Sequence, residues 1–267
     1  MFLVPRGTSP TSPQVSTGIA SSVSFSTPTQ TVGVASDPGG LGFWTVEADG
    51  NLQSYSDGVI VGNPASFGLN SPIVAIAAAR GGYGYYILGS DGGVFDYGGG
   101  FYGSTGGIKL NEPVVGMALT SDGDGYWLVA RDGGVFSFGD AAFLGSLGGM
   151  HLNKPVVGMV SYDGGYTLVA ADGGVFNYGT SFLGSLGSKH LDAPIVGIAA
   201  TPDGKGYWMV ASDGGLFSFG DAGFFGSAVG AKKTIVGMAA TPDGGGYWLA
   251  ASDGTILNFG DAAPALS

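Results

Sequence analysis

Six Asp-Gly pairs are the feature of this chain whose residue type and spacing best suit the binding of an ion. The pairs recur every 40 to 42 residues, and they begin at Asp49, Asp91, Asp132, Asp172, Asp213 and Asp253. Calcium takes about six to eight oxygen ligands, so four of these carboxylates are candidate ligands: Asp91, Asp132, Asp172 and Asp213. Asp-Gly also supplies the positive φ values that a tight hairpin turn demands. The turn interpretation accounts for every copy. We therefore expect no cofactor, with calcium as the alternative that the pattern leaves open.

Loop side chains provide a second set of candidates, for ligand contacts. His151 and His190 lie in equivalent segments between copies, each one residue before a leucine, so adjacent copies could bring them to one face. They are more simply explained as ordinary exposed residues, because lone loop side chains are usually inert. Other candidates are the amide and the less repeated aromatic side chains near loops, whose rings suit stacking on sugars: Tyr83, Tyr102, Asn153 and Tyr162.

Four tryptophans instead recur at one position of the repeat, Trp44, Trp127, Trp208 and Trp248. Regular placement within an apolar run favours burial between neighbouring structural units over exposure to a ligand.

The residue types that enzymatic sites need are scarce. The chain has no cysteine, and its only glutamates are Glu47 and Glu112. Glycoside hydrolysis uses a pair of carboxylates in different environments, and a sialidase-like site needs an arginine cluster. Beyond Arg6 the only arginines are Arg80 and Arg131. We predict no enzyme and no catalytic residue.

The charge balance limits the partners. The net charge is −11 with a pI near 4.2, and the nine lysines and arginines are scattered. Nucleic acids and anionic membrane surfaces are bound by clustered basic residues, so neither is expected. No run of about 18 apolar residues is present that could span a membrane. A glycan or a protein is the expected partner.

The elements that position these residues repeat with the Asp-Gly pairs. Each copy holds four short strand candidates, which in the third copy are residues 113–119, 126–130, 135–138 and 142–146. Short Gly-rich connections make neighbouring strands antiparallel, and four strands with a period near 41 residues are typical of one propeller blade. We predict an all-β, six-bladed β-propeller of four-stranded antiparallel blades. The inner strands read Val-Val-Gly-Met-Ala or similar, which predicts a narrow, apolar, Gly-lined axial channel.

The chain ends define the predicted domain boundaries. Leu3-Val4-Pro5-Arg6-Gly7 resembles a thrombin cleavage site, so residues 1–9 are interpreted as a vector remnant and excluded. Residues 10–21 are assigned as a linker and residues 22–263 as one propeller domain. The sixth copy stops before its fourth strand, and residues 22–26 resemble that missing strand. We predict that this N-terminal strand completes the last blade and closes the ring.

The best-preserved copies read Gly-Tyr-Trp-Leu-Val-Ala-x-Asp-Gly-Gly-Val-Phe-x-Phe-Gly-Asp-Ala. This pattern resembles Gly-rich β-propeller repeats of secreted or surface proteins of actinobacteria, and the resemblance covers about residues 22–263. The first copy departs from it by losing Gly-Asp-Ala, and the fourth by carrying Thr167 in place of tryptophan. The resemblance implies an extracellular or cell-surface location, frequent fusion to other domains such as cell-wall hydrolases, and no chemistry of its own.

Two functions remain open from the sequence. One is a non-catalytic binding module for cell-wall or extracellular polysaccharide, since repeated weak sites on a rigid ring give avidity. The other is a structural scaffold or protein-interaction platform without a small ligand, because the repeated residues already have packing or turn roles. A hydrolase is the less favoured third hypothesis.

Overall fold

The computed structural model describes residues 30–40, 42–81 and 84–265, and these form six copies of one three-stranded antiparallel sheet. We call the sheets units 1 to 6, and the strands of each unit inner, middle and outer in chain order. The strands are β1 Thr31–Ser36, β2 Phe43–Glu47 and β3 Leu52–Tyr55; β4 Ile73–Ala78, β5 Tyr85–Gly89 and β6 Val94–Tyr97; β7 Val114–Leu119, β8 Gly125–Ala130 and β9 Val135–Gly139; β10 Val156–Tyr162, β11 Gly165–Ala170 and β12 Val175–Tyr178; β13 Ile195–Ala200, β14 Gly206–Ala211 and β15 Leu216–Gly220; β16 Ile235–Ala240, β17 Gly246–Ala251 and β18 Ile256–Gly260. A 3₁₀ helix, Pro64–Phe67, follows unit 1.

The middle strands form the core of the molecule. Every residue of β8 is buried, as is every residue of β11, β14 and β17. Apolar residues occupy both faces of these strands because each sheet packs between two neighbours. In one such layer, Trp127 of unit 3 packs with Met159, Tyr166 and Leu168 of unit 4. Burial on both faces explains why these strands do not alternate between apolar and polar residues.

The prediction of four-stranded blades is wrong, because each unit has three strands. The fourth candidate of unit 3, residues 142–146, forms no strand and pairs with none. Gly145 has a φ of 137°, and a Cβ there would lie 2.5 Å from the ring of Tyr178 in the next unit. A backbone in that conformation cannot continue a regular ladder. We call this stretch and its equivalents in the other units the outer segments. They are residues 59–62, 101–103, 142–145, 181–184 and 223–226.

Contacts between units run in a complete ring. The first residue of each inner strand donates its N–H to a turn carbonyl of the preceding unit, as Val156 does to Arg131 at 3.0 Å. The same bond joins unit 1 to unit 6, from Thr31 to the carbonyl of Ser252 at 3.3 Å. Inner strands of adjacent units contact each other around the whole ring, including β16 with β1. The architecture is therefore a propeller-like ring of six units.

Ring closure differs from the prediction in form. No sheet closes on itself or is shared between units in the part of the chain that the structure describes. The strand predicted to complete the last blade, residues 22–26, lies outside the described residues. Units 6 and 1 are joined by packing that includes Val34, Phe43, Ala239 and Trp248.

Glycines bring the inner strands close together around the ring axis. A Cβ on Gly116 of unit 3 would lie 3.4 Å from the Cα of Gly158 in unit 4. The pairing register shifts just before each of these glycines, between Val114 and Gly116 for example. Such a β-bulge increases the local twist of a strand, which helps six sheets to radiate from one axis.

Candidate functional site

Each outer segment is held through its backbone by aromatic side chains of two units. In unit 3 the indole of Trp127 donates to the carbonyl of Ala142 at 2.8 Å. The hydroxyl of Tyr166, from unit 4, accepts from the N–H of Leu144 at 3.1 Å and donates to the carbonyl of Gly145 at 2.6 Å. These bonds replace the strand ladder that the sequence predicted, and they tie each unit to the next.

We call this arrangement the clasp, and its tyrosine bond recurs at four more of the six joints. Hydroxyls that donate to the glycine carbonyl of the preceding outer segment belong to Tyr85, Tyr126, Tyr166, Tyr207 and Tyr247. Burial raises the pKa of each of these phenols, that of Tyr207 to about 12. The phenols therefore stay protonated, as donation to a carbonyl requires. In unit 1 the equivalent residue is Phe43, which has no hydroxyl.

Because these segments are anchored through their backbones, each has at least one large apolar side chain exposed to solvent. The phenylalanines two residues before the clasped glycine form what we call the Phe belt: Phe101 (61% exposed), Phe143 (61%), Phe182 (65%) and Phe224 (63%). Unit 1 has Ile60 at this position, 43% exposed. Single exposed apolar residues are ordinary in folded proteins, but the same exposed aromatic ring at the same place in four units is not explained by packing.

A cleft in unit 5 combines the Phe belt with a predicted candidate. It has a volume of about 340 Å³ and is lined by Phe224, Phe217 and Val229, with His190, Asp192 and Asp213 at its polar side. The incoming loop carries His190, and the outer segment carries Phe224. An aromatic wall beside an imidazole and carboxylates suits a ligand with one apolar face and several hydroxyl groups.

A cleft of similar size, about 320 Å³, lies in unit 3. Both clefts are on the rim of the ring that carries the turns between the middle and outer strands, since Asp213 lines one and Asp132 the other. Its lining includes His151, Met150, Glu112, Arg131 and Asp132. The two predicted histidines thus lie in separate clefts and do not form one site.

The turn carboxylates that were candidate calcium ligands are each bound to their own turn. The Oδ1 atoms of Asp91, Asp132, Asp172 and Asp213 accept from the backbone N–H two residues later, at 2.9–3.0 Å. This is the Asx-turn geometry that the turn interpretation predicts. Across the described ranges, no group of three or more acidic, histidine or cysteine side chains is close enough to hold a metal ion.

The remaining candidates have different surroundings. Asn153 is exposed. Tyr102 is half-buried, with its ring edge against Tyr126 and its hydroxyl 3.3 Å from Asp124 Oδ1. Tyr83 lies outside the described residues.

Tyr162 is placed in the interior, contrary to the prediction that its ring could stack on a sugar. It is 7% exposed and lies in the unit that has Thr167 in place of tryptophan. Its hydroxyl donates to the carbonyl of Ser181 at 2.8 Å, and the side chain of Asn177 donates to the same oxygen at 3.2 Å. These two groups supply the bond that an indole supplies in unit 3.

The Phe belt was not among the sites predicted from the sequence, although the sequence carries a signal for it. Phe143, Phe182 and Phe224 each stand two residues before a glycine in aligned copies. The segment was predicted only as the fourth strand of a blade, and its phenylalanines were not considered as candidates for binding. Their exposure follows from the clasp, which the sequence does not display.

The comparisons with known proteins address the fold. No protein-family profile matches the sequence, and no curated protein matches it. A structural genomics protein of unknown function from Bacteroides thetaiotaomicron VPI-5482 is similar in structure, with a TM-score of 0.56 and 14% identity over 87% of this chain and 69% of that chain. At this identity the likeness shows the fold alone. Within the described ranges, no helix has the length and hydrophobicity needed to cross a membrane.

Proposed function

We propose that this chain is a non-catalytic binding module that holds an extended polysaccharide along its outer edge. The observation that carries the proposal is the Phe belt, which presents the same exposed ring in four successive units. An exposed aromatic face is a good platform for the apolar face of a sugar. Weak sites repeated on one rigid ring add by avidity.

The charge of the molecule supports a neutral glycan over a phosphate-rich ligand. Basic residues are few and the chain carries a net charge of −11, which repels polyanions. The two clefts add hydrogen-bonding groups next to apolar walls, through His190 and Asp192 in one and His151 and Glu112 in the other. The resemblance of the repeats to those of secreted and surface proteins supports an extracellular or cell-surface location for this activity.

A protein-interaction platform is the second candidate. Aliphatic side chains outside the Phe belt and the two clefts are also well exposed, among them Val59, Val61 and Ile108. Larger apolar patches on protein surfaces mark interaction sites. A protein partner would use these residues together with the Phe belt, whereas a polysaccharide would depend on the aromatic rings.

Substitution of the Phe belt tests the proposal. In isothermal titration with soluble fragments of bacterial cell-wall and extracellular polysaccharides, Phe182→Ala with Phe224→Ala should weaken binding about tenfold or more, because each stacked ring contributes on the order of 1 kcal/mol. The matched control is Phe67→Ala, which removes an equally large exposed ring (73% exposed) from the 3₁₀ helix and should leave affinity unchanged. Equal losses in the belt variant and the control would contradict the proposal. Absence of binding to every glycan, with belt-dependent capture of a protein, would favour the platform.

A further inference from the structure

A cavity of about 500 Å³ opens at the centre of one rim, where the inner strands end. We call it the mouth. Its walls are residues 77–81 of unit 2 and its connection, residues 117–119 of unit 3 and residues 159–161 of unit 4, together with Pro38 and Ala200. It lies on the rim opposite the Asp-Gly turns, away from both clefts.

The mouth is apolar inside. Its surface is formed mainly by alanines and by Met117, Leu119, Met159 and Val160. The hydroxyl of Ser161 is already used, since it donates to the carbonyl of Leu119 at 2.6 Å. An apolar side chain entering the mouth would gain the free energy of leaving water.

The surroundings of the mouth are acidic. The turns around it expose five carboxylates, Asp122, Asp124, Asp163, Asp203 and Asp243. The basic side chains on this rim, within the described ranges, are Arg80 and Lys205, and Lys205 is paired with Asp203 at 3.0 Å. On the opposite rim the acidic residues are interspersed with basic ones: Lys109, Arg131, Lys154, Lys189, Lys232 and Lys233. Negative charge therefore predominates around the mouth, with Arg80 as the one basic side chain in its lining.

We propose that the mouth docks a basic segment of a partner protein, with one apolar side chain inside the cavity and flanking lysines or arginines on the surrounding carboxylates. Charge complementarity selects this occupant, because an acidic surface attracts and orients cationic chains. A bare metal ion does not fit, since no three carboxylates of the described residues converge. This site is separate from the Phe belt and goes beyond the glycan-binding proposal.

A labelled peptide tests the docking directly. The probe is the heptapeptide Lys-Lys-Lys-Leu-Lys-Lys-Lys, with binding followed by fluorescence anisotropy at about 0.05 M and about 0.5 M salt, where screening is much stronger. Binding should occur at low salt and weaken at high salt. A peptide with serine in place of the leucine should bind at least about fivefold more weakly, because it leaves the mouth empty. Equal affinity of the two peptides would overturn the use of the mouth.

Charge variants on the two rims separate specific docking from general attraction. Asp122→Asn, Asp163→Asn, Asp203→Asn and Asp243→Asn combined should weaken the probe about tenfold or more, because rim charges set such affinities. The control removes the same charge from the opposite rim by Asp91→Asn, Asp132→Asn, Asp172→Asn and Asp213→Asn, and it should change binding by less than about twofold, because those carboxylates are remote from the mouth. Asparagine keeps the turn acceptor in both sets. Equal losses would overturn the proposal.

A single substitution should strengthen binding of the peptide. This test does not rely on the folding of the fourfold variants. Arg80 is an exposed basic residue at the edge of the mouth, and Arg80→Gln removes its repulsion of a cationic probe. We expect affinity to rise about two- to fivefold, within the range of single rim charges. An unchanged or weaker affinity would contradict the proposal. Phe224→Ala should leave peptide binding unchanged, so failure here and failure of the glycan proposal are distinguishable.

Discussion

At the scale of single residues, the tyrosine hydroxyls link neighbouring units in addition to the backbone hydrogen bonds between them. The recurring Tyr-Trp pair in the sequence predicted buried aromatic packing, and Trp127, Tyr166 and their equivalents are buried. What the sequence could not display is the second role of these residues. Their polar ends satisfy the backbone of a segment that lacks strand partners, and burying such backbone groups without partners would be costly.

Removal of one hydroxyl should expose this role. Tyr166→Phe leaves the N–H of Leu144 and the carbonyl of Gly145 without their shared partner. We expect the free energy of unfolding to fall by about 1–3 kcal/mol, the cost of unsatisfied buried groups. The measurement is urea unfolding followed by circular dichroism.

Tyr178→Phe is the control for that substitution. Its ring packs against Tyr166 with centroids 5.4 Å apart, but the hydrogen bonds that hold the outer segment come from Trp127 and Tyr166. The expected change is within about 0.5 kcal/mol, as for substitutions away from buried networks. A loss as large as that of Tyr166→Phe would mean that the clasp is unimportant.

At the scale of elements, the turns and the first three strands followed from the sequence. Asp-Gly predicted hairpin turns, and the structure has a positive φ at the glycine of each, such as 79° at Gly133. The fourth strand was predicted but is absent from the structure. An apolar, aromatic segment of five residues has the same composition whether it pairs with a strand or is held by side chains. Tertiary context decides between these outcomes.

Two turn glycines allow backbone strain to be separated from steric clash. Gly254 has a φ of 85° and open space around it, since a Cβ there would lie 3.9 Å from its nearest neighbour, Thr31 Oγ1. Gly133 has a similar φ, but a Cβ there would lie 2.6 Å from Cβ of Leu147. Gly254→Ala should cost about 1–2 kcal/mol for the left-handed backbone alone. Gly133→Ala should cost about 1–3 kcal/mol more because of overpacking.

Chemical denaturation of the two variants measures this difference. Equal destabilisation would show that the loop carrying Leu147 moves away freely. It would also mean that the loop is less firmly packed on the turn than the hydrogen bond from Leu147 to the carbonyl of Gly133, at 2.9 Å, indicates.

At the scale of the whole molecule, the repeat predicted the number of units and their ring-like order. The period near 41 residues gave six units, and the structure has six sheets. The candidate sites were predicted only in part. His151 and His190 do line clefts, but the Phe belt and the mouth arise from how units meet, which one repeat read alone does not contain. The position of Tyr162 was likewise not predictable from one repeat. Its buried hydroxyl binds the carbonyl of Ser181, which an indole would bind if unit 4 had tryptophan in place of Thr167.

The tyrosines together should make the stability of the ring sensitive to alkali. Burial raises the pKa of Tyr207 to about 12, and it also raises the pKa values of Tyr85, Tyr126 and Tyr247 above their ordinary value. Unfolded phenols ionise near pH 10, so above that pH the unfolded state binds fewer protons than the folded state. Stability should be constant up to about pH 10 and fall between about pH 10 and pH 12.

Unfolding midpoints in urea between about pH 8 and pH 12 would measure the effect, with phenolate absorbance as a direct readout of ionisation in the folded protein. Tyr207→Phe should make the fall less steep, because one proton is then removed from the difference between states. Native tyrosines that all ionise near pH 10 would contradict the burial argument.

The clasp also has a consequence for how such a ring can grow by duplication. Each copy from unit 2 to unit 5 brings a tyrosine for the outer segment before it and an outer segment for the tyrosine after it, as Tyr126 and residues 142–145 do in unit 3. A duplicated copy inserted between two others therefore arrives with both halves of its new joints already matched. The number of units can change in whole steps without any new contact being invented, and only the curvature of the ring sets the count.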